Sequence, residues 1–200
     1  MISIRNFKEL HSGKRVFILA SGPSLAQLDL EPLQRRMVIG LNRSPLLFPH
    51  THYHCTMDQR LFDEFPEILR KSRYLFTLEG RPFGIPLRLL GAEGFSWDLE
   101  QGIYSGYSVS YYALQLAVYM GFREIFYLGL DLRHEGPKTH FFGADFHSRT
   151  HEQTEFPRMR KMFNYGAQQL AIGGVRVFNC SPVSDLDCFP KVSFDYALSL

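Results

Sequence analysis

Four of the eight histidines, His134, His140, His147 and His151, fall between residues 131 and 151, beside Lys138, Asp145 and Arg149. Imidazole takes or releases a proton near neutral pH without a large pKa shift, so several in one segment point to acid–base work. His147 and His151 have the spacing that puts two side chains on one helix face, as a metal pair would, but no third ligand accompanies them and no metal site is expected. His50, His52 and His54 alternate next to Pro49 and Thr51 and read as an exposed or half-buried strand end. The second chemistry-bearing stretch is Val16 to Ser24, an apolar run ending in Ser21-Gly22-Pro23-Ser24. Such a turn presents free backbone N–H groups, and a helix starting at Ser24 adds the positive end of its dipole, a combination that suits phosphate. An ordinary tight turn is the alternative. The stretch is neither a Walker loop nor a three-glycine dinucleotide fingerprint, and no Gly-x-Ser-x-Gly elbow exists.

These residues need a scaffold. Short apolar runs at Arg15–Ala20, Met37–Leu41, Tyr53–Thr56, Tyr74–Leu78, Glu124–Leu128 and Val175–Phe178 read as strands, several of them apolar throughout, as strands covered on both faces are. Helical stretches lie between them: Leu25–Leu33, Ser105–Met120 stopped by Gly121, and His151–Ile172 stopped by Gly173-Gly174. The expected fold is α/β, a single Rossmann-like, doubly wound and mostly parallel sheet with helices on both faces. Residues 79–104, broken by glycines and prolines, are expected to form a lid-like loop. In such sheets ligands sit beyond the carboxyl ends of the strands. Ser21-Gly22-Pro23-Ser24, Asn42-Arg43, Asp58, Gly129 with Asp131, and Arg133-His134 all follow strands and would converge there. Each also has a purely structural reading: Asn42 capping a turn, Asp58 capping the next helix, Gly129 and Asp131 shaping a bend.

The 200 residues suffice for one domain with a real core, and 45% apolar content fits a globular chain. A net charge of +2 with dispersed Lys and Arg argues against a dedicated nucleic-acid surface. Three cysteines, Cys55, Cys180 and Cys188, without Cys-x-x-Cys spacing read as reduced thiols. With no signal-peptide core and no run long enough to span a membrane, a cytoplasmic location is expected.

Assembled in order, these segments resemble the bacterial sialyltransferases of the Campylobacter type (glycosyltransferase family 42) and the wider superfamily of MptE-like proteins and motility-associated glycosyltransferases. Ala20-Ser-Gly-Pro-Ser-Leu25 is similar to the Gly-Asn-Gly-Pro-Ser-Leu turn that contacts the nucleotide, with Ser21 in place of asparagine. Asn42 corresponds to the Cys-Asn after the second strand, and Tyr104-Ser105-Gly106-Tyr107 to a Thr-Ser-Gly-Val opening the helix that grips the cytidine nucleotide. The most specific likeness is Gly121-Phe-Arg-Glu-Ile-Phe-Tyr-Leu-Gly-Leu-Asp131, and Thr139-His140-Phe-Phe-Gly143 with His147-Ser148 resembles the stretch carrying the general base. The two tyrosines that support the departing phosphate in the family have no counterpart after Asp131; Arg133 or Lys138 could replace them.

The resemblance implies a metal-independent, inverting glycosyltransferase that moves an acidic sugar from a nucleotide-activated donor, CMP-linked, to a surface glycan, working at the inner face of the membrane. Ser21, Gly22, Pro23, Ser24, Asn42, Arg43, Asp58, Ser105, Gly106, Gly129 and Asp131 would bind the nucleotide. His147, with His140 as a rival, would be the base and Arg133 the leaving-group cation. Expected partners are the donor and the glycan acceptor, not nucleic acid; peripheral membrane association and a homo-oligomer are compatible with this. No cofactor is required. The alternatives are an MptE-like diphosphotransferase, with Asp58, Asp131 and Asp145 holding Mg²⁺, and a nucleotide-binding module without catalysis.

Overall fold

Strands buried on both faces need layers on both sides, and the chain supplies them. The computed structural model describes residues 2–134, 138–143 and 149–200. Its strands are β1 (Arg15–Leu19), β2 (Val38–Leu41), β3 (Tyr53–Cys55), β4 (Leu75–Leu78), β5 (Ile85–Leu87), β6 (Leu89–Gly91), β7 (Ile103–Tyr104), β8 (Glu124–Leu128) and β9 (Arg176–Asn179). The α-helices are α1 (Gln59–Glu64), α2 (Pro66–Arg70), α3 (Val109–Tyr119), α4 (Arg149–Ile172) and α5 (Phe194–Ser199). Seven strands form one parallel sheet in the order β5-β4-β3-β2-β1-β8-β9, and β6 pairs with β7 separately.

Alternation along β1 divides the core. Val16 and Ile18 face the layer of α3 and α4, whereas Phe17 and Leu19 face the layer of Leu25, Leu33 and α5. On the second face Phe17, Phe126 and Phe178 sit at matched register positions on β1, β8 and β9, and their rings stack with centroids 5.2 and 5.1 Å apart. At the amino ends of the same strands the Glu124 carboxylate bridges Arg15 and Arg176.

From β1 the chain winds outward to β5, then returns to place β8 on the other side of β1. Such a reversal opens a crevice above the carboxyl ends of β1 and β8, where side chains from both halves of the sheet meet.

Three segments differ from the expectation. The stretch after Ser24 is not an α-helix but two 3-10 turns, Pro23–Gln27 and Glu31–Arg35, each with a proline in its first turn. The helix expected over Ser105–Met120, with Ser105 or Ser108 as its cap, starts at Val109 with Ser108 as the cap, its side chain accepting the Ser110 N–H. Ser108→Ala is therefore expected to cost about 1 kcal/mol, read as a lower urea midpoint with unchanged slope. Residues 79–104, expected as a lid, contain β5, β6 and β7. The buried Gln115 side chain on α3 accepts the Ser96 and Tyr104 N–H groups and donates to the Tyr104 carbonyl. These bonds tie Ser96 and Tyr104 to α3.

Candidate functional site

A cleft of about 250 Å³ opens where the topology reverses, at the carboxyl ends of β1, β2, β3 and β8. Ser21 and Gly22 follow β1, Asn42 follows β2, Asp58 follows β3, and Gly129, Asp131 and Arg133 follow β8; His140 completes this set in the wall. All were expected here from sequence. Pro23, Ser24, Arg43, Ser105 and Gly106 do not line the cleft.

The first turn is built differently from a phosphate cradle. Gly22 N–H donates to the Gly129 carbonyl (2.9 Å), Leu25 N–H to the Gly22 carbonyl (3.1 Å), and Ser24 gives both its N–H (3.0 Å) and its hydroxyl (2.6 Å) to the Asp131 carboxylate. Pro23 has no N–H. The Gly22 and Ser24 N–H groups expected to be free at this turn are committed to the protein, and the 3-10 turn of Pro23–Gln27 replaces the expected helix dipole. The packing is tight enough that a Cβ at Gly22 would lie 2.4 Å from Asp131 Oδ2. Asp131, only 4% exposed, thus ties the β1 turn to the β8 turn.

Asn42 is held from three sides. Its backbone is left-handed (φ 49°), its side-chain oxygen accepts the Thr56 hydroxyl (3.1 Å), and its carbonyl accepts from His54 Nε2 (2.7 Å). His54, read from sequence as part of an exposed or half-buried strand end, is wholly buried. Because both sheet faces are covered, alternation separates the faces without exposing either. Burial lowers the His54 pKa to about 4, so the ring is neutral at pH 7. Asp58 lines the cleft while its carboxylate caps α1 through the Arg60 N–H.

Arg43 lies outside the wall, its guanidinium 4.1 Å from the Phe65 ring centroid and 4.5 Å from that of Phe142. Ser105 and Gly106 spend their N–H groups on the Gly91 and Ala92 carbonyls, and Tyr107, Ser108, Val109 and Ser110 take their place in the wall.

The imidazole side of the cleft is organised by Glu152, buried in the first turn of α4. Its carboxylate oxygens lie 3.0 Å from His134 Nε2 and 3.7 Å from His140 Nε2. Burial, with Arg149 adding to it, lowers the His134 pKa. His140 Nδ1 is 3.0 Å from the Thr139 hydroxyl. Arg133 pairs with Asp185 at 3.4 Å, and Lys138 is exposed outside the lining. His147 and Asp145 fall outside the described residues. Sequence reasoning missed Glu152, whose place one position after His151 in a polar helix start resembles a solvated first turn. It also missed Phe156 and Met159, which share that helix and line the cleft. Among the described residues no group of three or more His, Cys, Asp or Glu side chains is arranged to hold a metal ion, and no helix is long and apolar enough to cross a membrane.

No protein-family model and no curated protein matches the sequence. Among solved structures, the sialyltransferase CstII from Campylobacter jejuni, in complex with cytidine 5′-monophosphate (CMP), aligns with 91% of this chain and 86% of its own at a TM-score of 0.50. The fold is sialyltransferase-like. A second structure of CstII, with CMP-3FNeuAc, aligns with 90% and 86% at a TM-score of 0.49. Sequence identity to both is 12%. At that identity the likeness establishes the fold, as the motifs implied, and the chemistry of the cleft rests on its own residues.

Proposed function

We propose that this chain is a glycosyltransferase that takes a sugar from a nucleotide-activated donor, with CMP as the departing nucleotide, and passes it to a hydroxyl of a glycan acceptor. The observation that carries this reading is the convergence of Arg133, Asn42 and His140 on one cleft at the switch point of the sheet. CstII, which shares the fold, is in complex with CMP as a substrate analogue, and that supports the choice of nucleotide.

In direct transfer the acceptor oxygen attacks the anomeric carbon as its proton passes to an imidazole of the 131–151 segment, His140 or His147. The bond from that carbon to the phosphate oxygen breaks, the nucleotide leaves with the electron pair, and the configuration inverts. Arg133 offsets the charge that develops on the phosphate. The same cation, with Arg158 placed over Tyr107, suits a donor sugar that is itself acidic. No observation favours magnesium-dependent phosphotransfer: the Asp131 carboxylate is engaged with Ser24 and that of Asp58 with the α1 cap.

CMP at a hundred times its dissociation constant adds about 2.7 kcal/mol to apparent stability. For a chain of this size that is a rise in Tm of roughly 5–10 °C. A thermal-shift series with CMP, UDP, GDP and ATP tests the reading, with CMP expected to give the largest rise. A shift confined to ATP with magnesium, or none with any nucleotide, overturns it.

A further inference from the structure

Four non-glycine residues among those described have left-handed backbones: Glu9 (φ 52°), Asn42 (φ 49°), Tyr107 (φ 61°) and Leu132 (φ 48°). Three of them, all but Glu9, line the cleft at the switch point of the sheet. Asparagine tolerates that conformation, but tyrosine and leucine meet a clash between Cβ and backbone, so the chain stores strain there twice. Strained residues persist only where their surroundings over-determine them, and they cluster where ligands are held.

Tyr107 is the more telling of the two. It follows Gly106, itself left-handed (φ 55°), and glycine at 107 would take the same conformation without steric strain. The sequence instead places an aromatic ring in the cleft wall and holds it there. The hydroxyl donates to Glu93 Oε1 (3.1 Å), Glu93 receives Lys161 Nζ on its other oxygen (3.0 Å), and the Arg158 guanidinium sits 5.6 Å from the ring centroid. A flat surface fixed before a ligand arrives loses little entropy on binding, which is what a stacking partner requires.

We propose that Tyr107 is the platform on which the flat ring of a nucleobase stacks in the cleft. This rests on the reading of the cleft as a nucleotide site and adds the residue that distinguishes a nucleotide from a bare sugar phosphate.

The test compares wild type, Tyr107→Gly and Tyr107→Phe by calorimetric titration with CMP and with ribose 5-phosphate, which has no base, together with each variant's Tm. Stacking on one base predicts that Tyr107→Gly weakens CMP about ten- to a hundredfold and leaves ribose 5-phosphate unchanged, with a Tm high enough that the variant is folded at the titration temperature. Tyr107→Phe keeps most of the affinity, since the ring remains. If wild type binds CMP and Tyr107→Gly binds it as tightly, the platform is overturned while the nucleotide reading stands. Equal loss of CMP and ribose 5-phosphate in Tyr107→Gly, or loss of CMP affinity in Tyr107→Phe equal to that in Tyr107→Gly, also overturns the platform, by assigning the residue to packing or to its hydroxyl. If wild type binds no CMP, the nucleotide reading fails and the platform with it.

Discussion

Replacing Asp131 with alanine is expected to destabilise the protein by roughly 2–4 kcal/mol, because it removes the acceptor of two buried donors, each costing about 1–3 kcal/mol if left unpaired, of which one has a second acceptor at hand. Those donors are the N–H and the hydroxyl of Ser24, both now given to the carboxylate. The Ser181 hydroxyl, 3.3 Å from that of Ser24, can accept one of them and caps the loss. Asp131→Asn should cost far less, about 1 kcal/mol, since its carbonyl oxygen still accepts one bond while the Ser24 hydroxyl turns to Ser181. Denaturant unfolding of the three proteins separates the cases. A loss under 1 kcal/mol for alanine would show that the carboxylate does not hold the turn. The consequence reaches the cleft, because Gly22 and Gly129 are positioned by the same clamp: Gly22 donates to the Gly129 carbonyl, and Gly129, left-handed at φ 72°, lies close against Leu25. The alanine variant should therefore weaken nucleotide binding through the displaced turns.

Asp131 also marks the boundary of what the sequence discloses. A carboxylate just after a strand is legible as a residue at the functional edge, and its position there was readable. Whether it faces a ligand or a neighbouring turn depends on Ser24, 107 positions away, which no local pattern reports. The central strands were legible for the opposite reason: burial on both faces makes them continuously apolar, and β1, β2 and β8 need no partner to be recognised. The short strands β5, β6 and β7 are hidden by the glycines and prolines around them. Gly84, for instance, approaches the Leu75 carbonyl so closely that a Cβ would lie 3.0 Å away, a constraint of tertiary contact that reads in sequence only as a loop. Glu152 and Tyr107 share this difficulty. A glutamate in a first helical turn and a tyrosine after glycine are ordinary in sequence, and only the folded cleft shows one placed between two imidazoles and the other strained into the wall.

The His54 ring gives the second large effect, a loss of stability with acid that begins before the carboxylates titrate. Its Nε2 faces the Asn42 carbonyl and so carries the proton, while Nδ1 accepts from the Ser72 hydroxyl (2.6 Å). Both nitrogens are satisfied in the neutral form, and protonation adds a charge that burial cannot solvate; hence the pKa of about 4 in the fold against about 6.5 in the unfolded chain. The unfolded state then binds more protons throughout that window, so stability is complete above pH 6.5 and falls as pH drops toward 4. At 1.36 kcal/mol per pKa unit the full loss is roughly 3 kcal/mol. His11 and His134, whose pKa values burial also lowers, act in the same direction. His54→Gln keeps a donor toward Asn42 but cannot titrate. It should be less stable than wild type at pH 7 and should lose less between pH 6.5 and 4.5, so that urea-unfolding curves of the two proteins converge as the solution is acidified. Parallel curves across that range would show that His54 titrates normally in the fold.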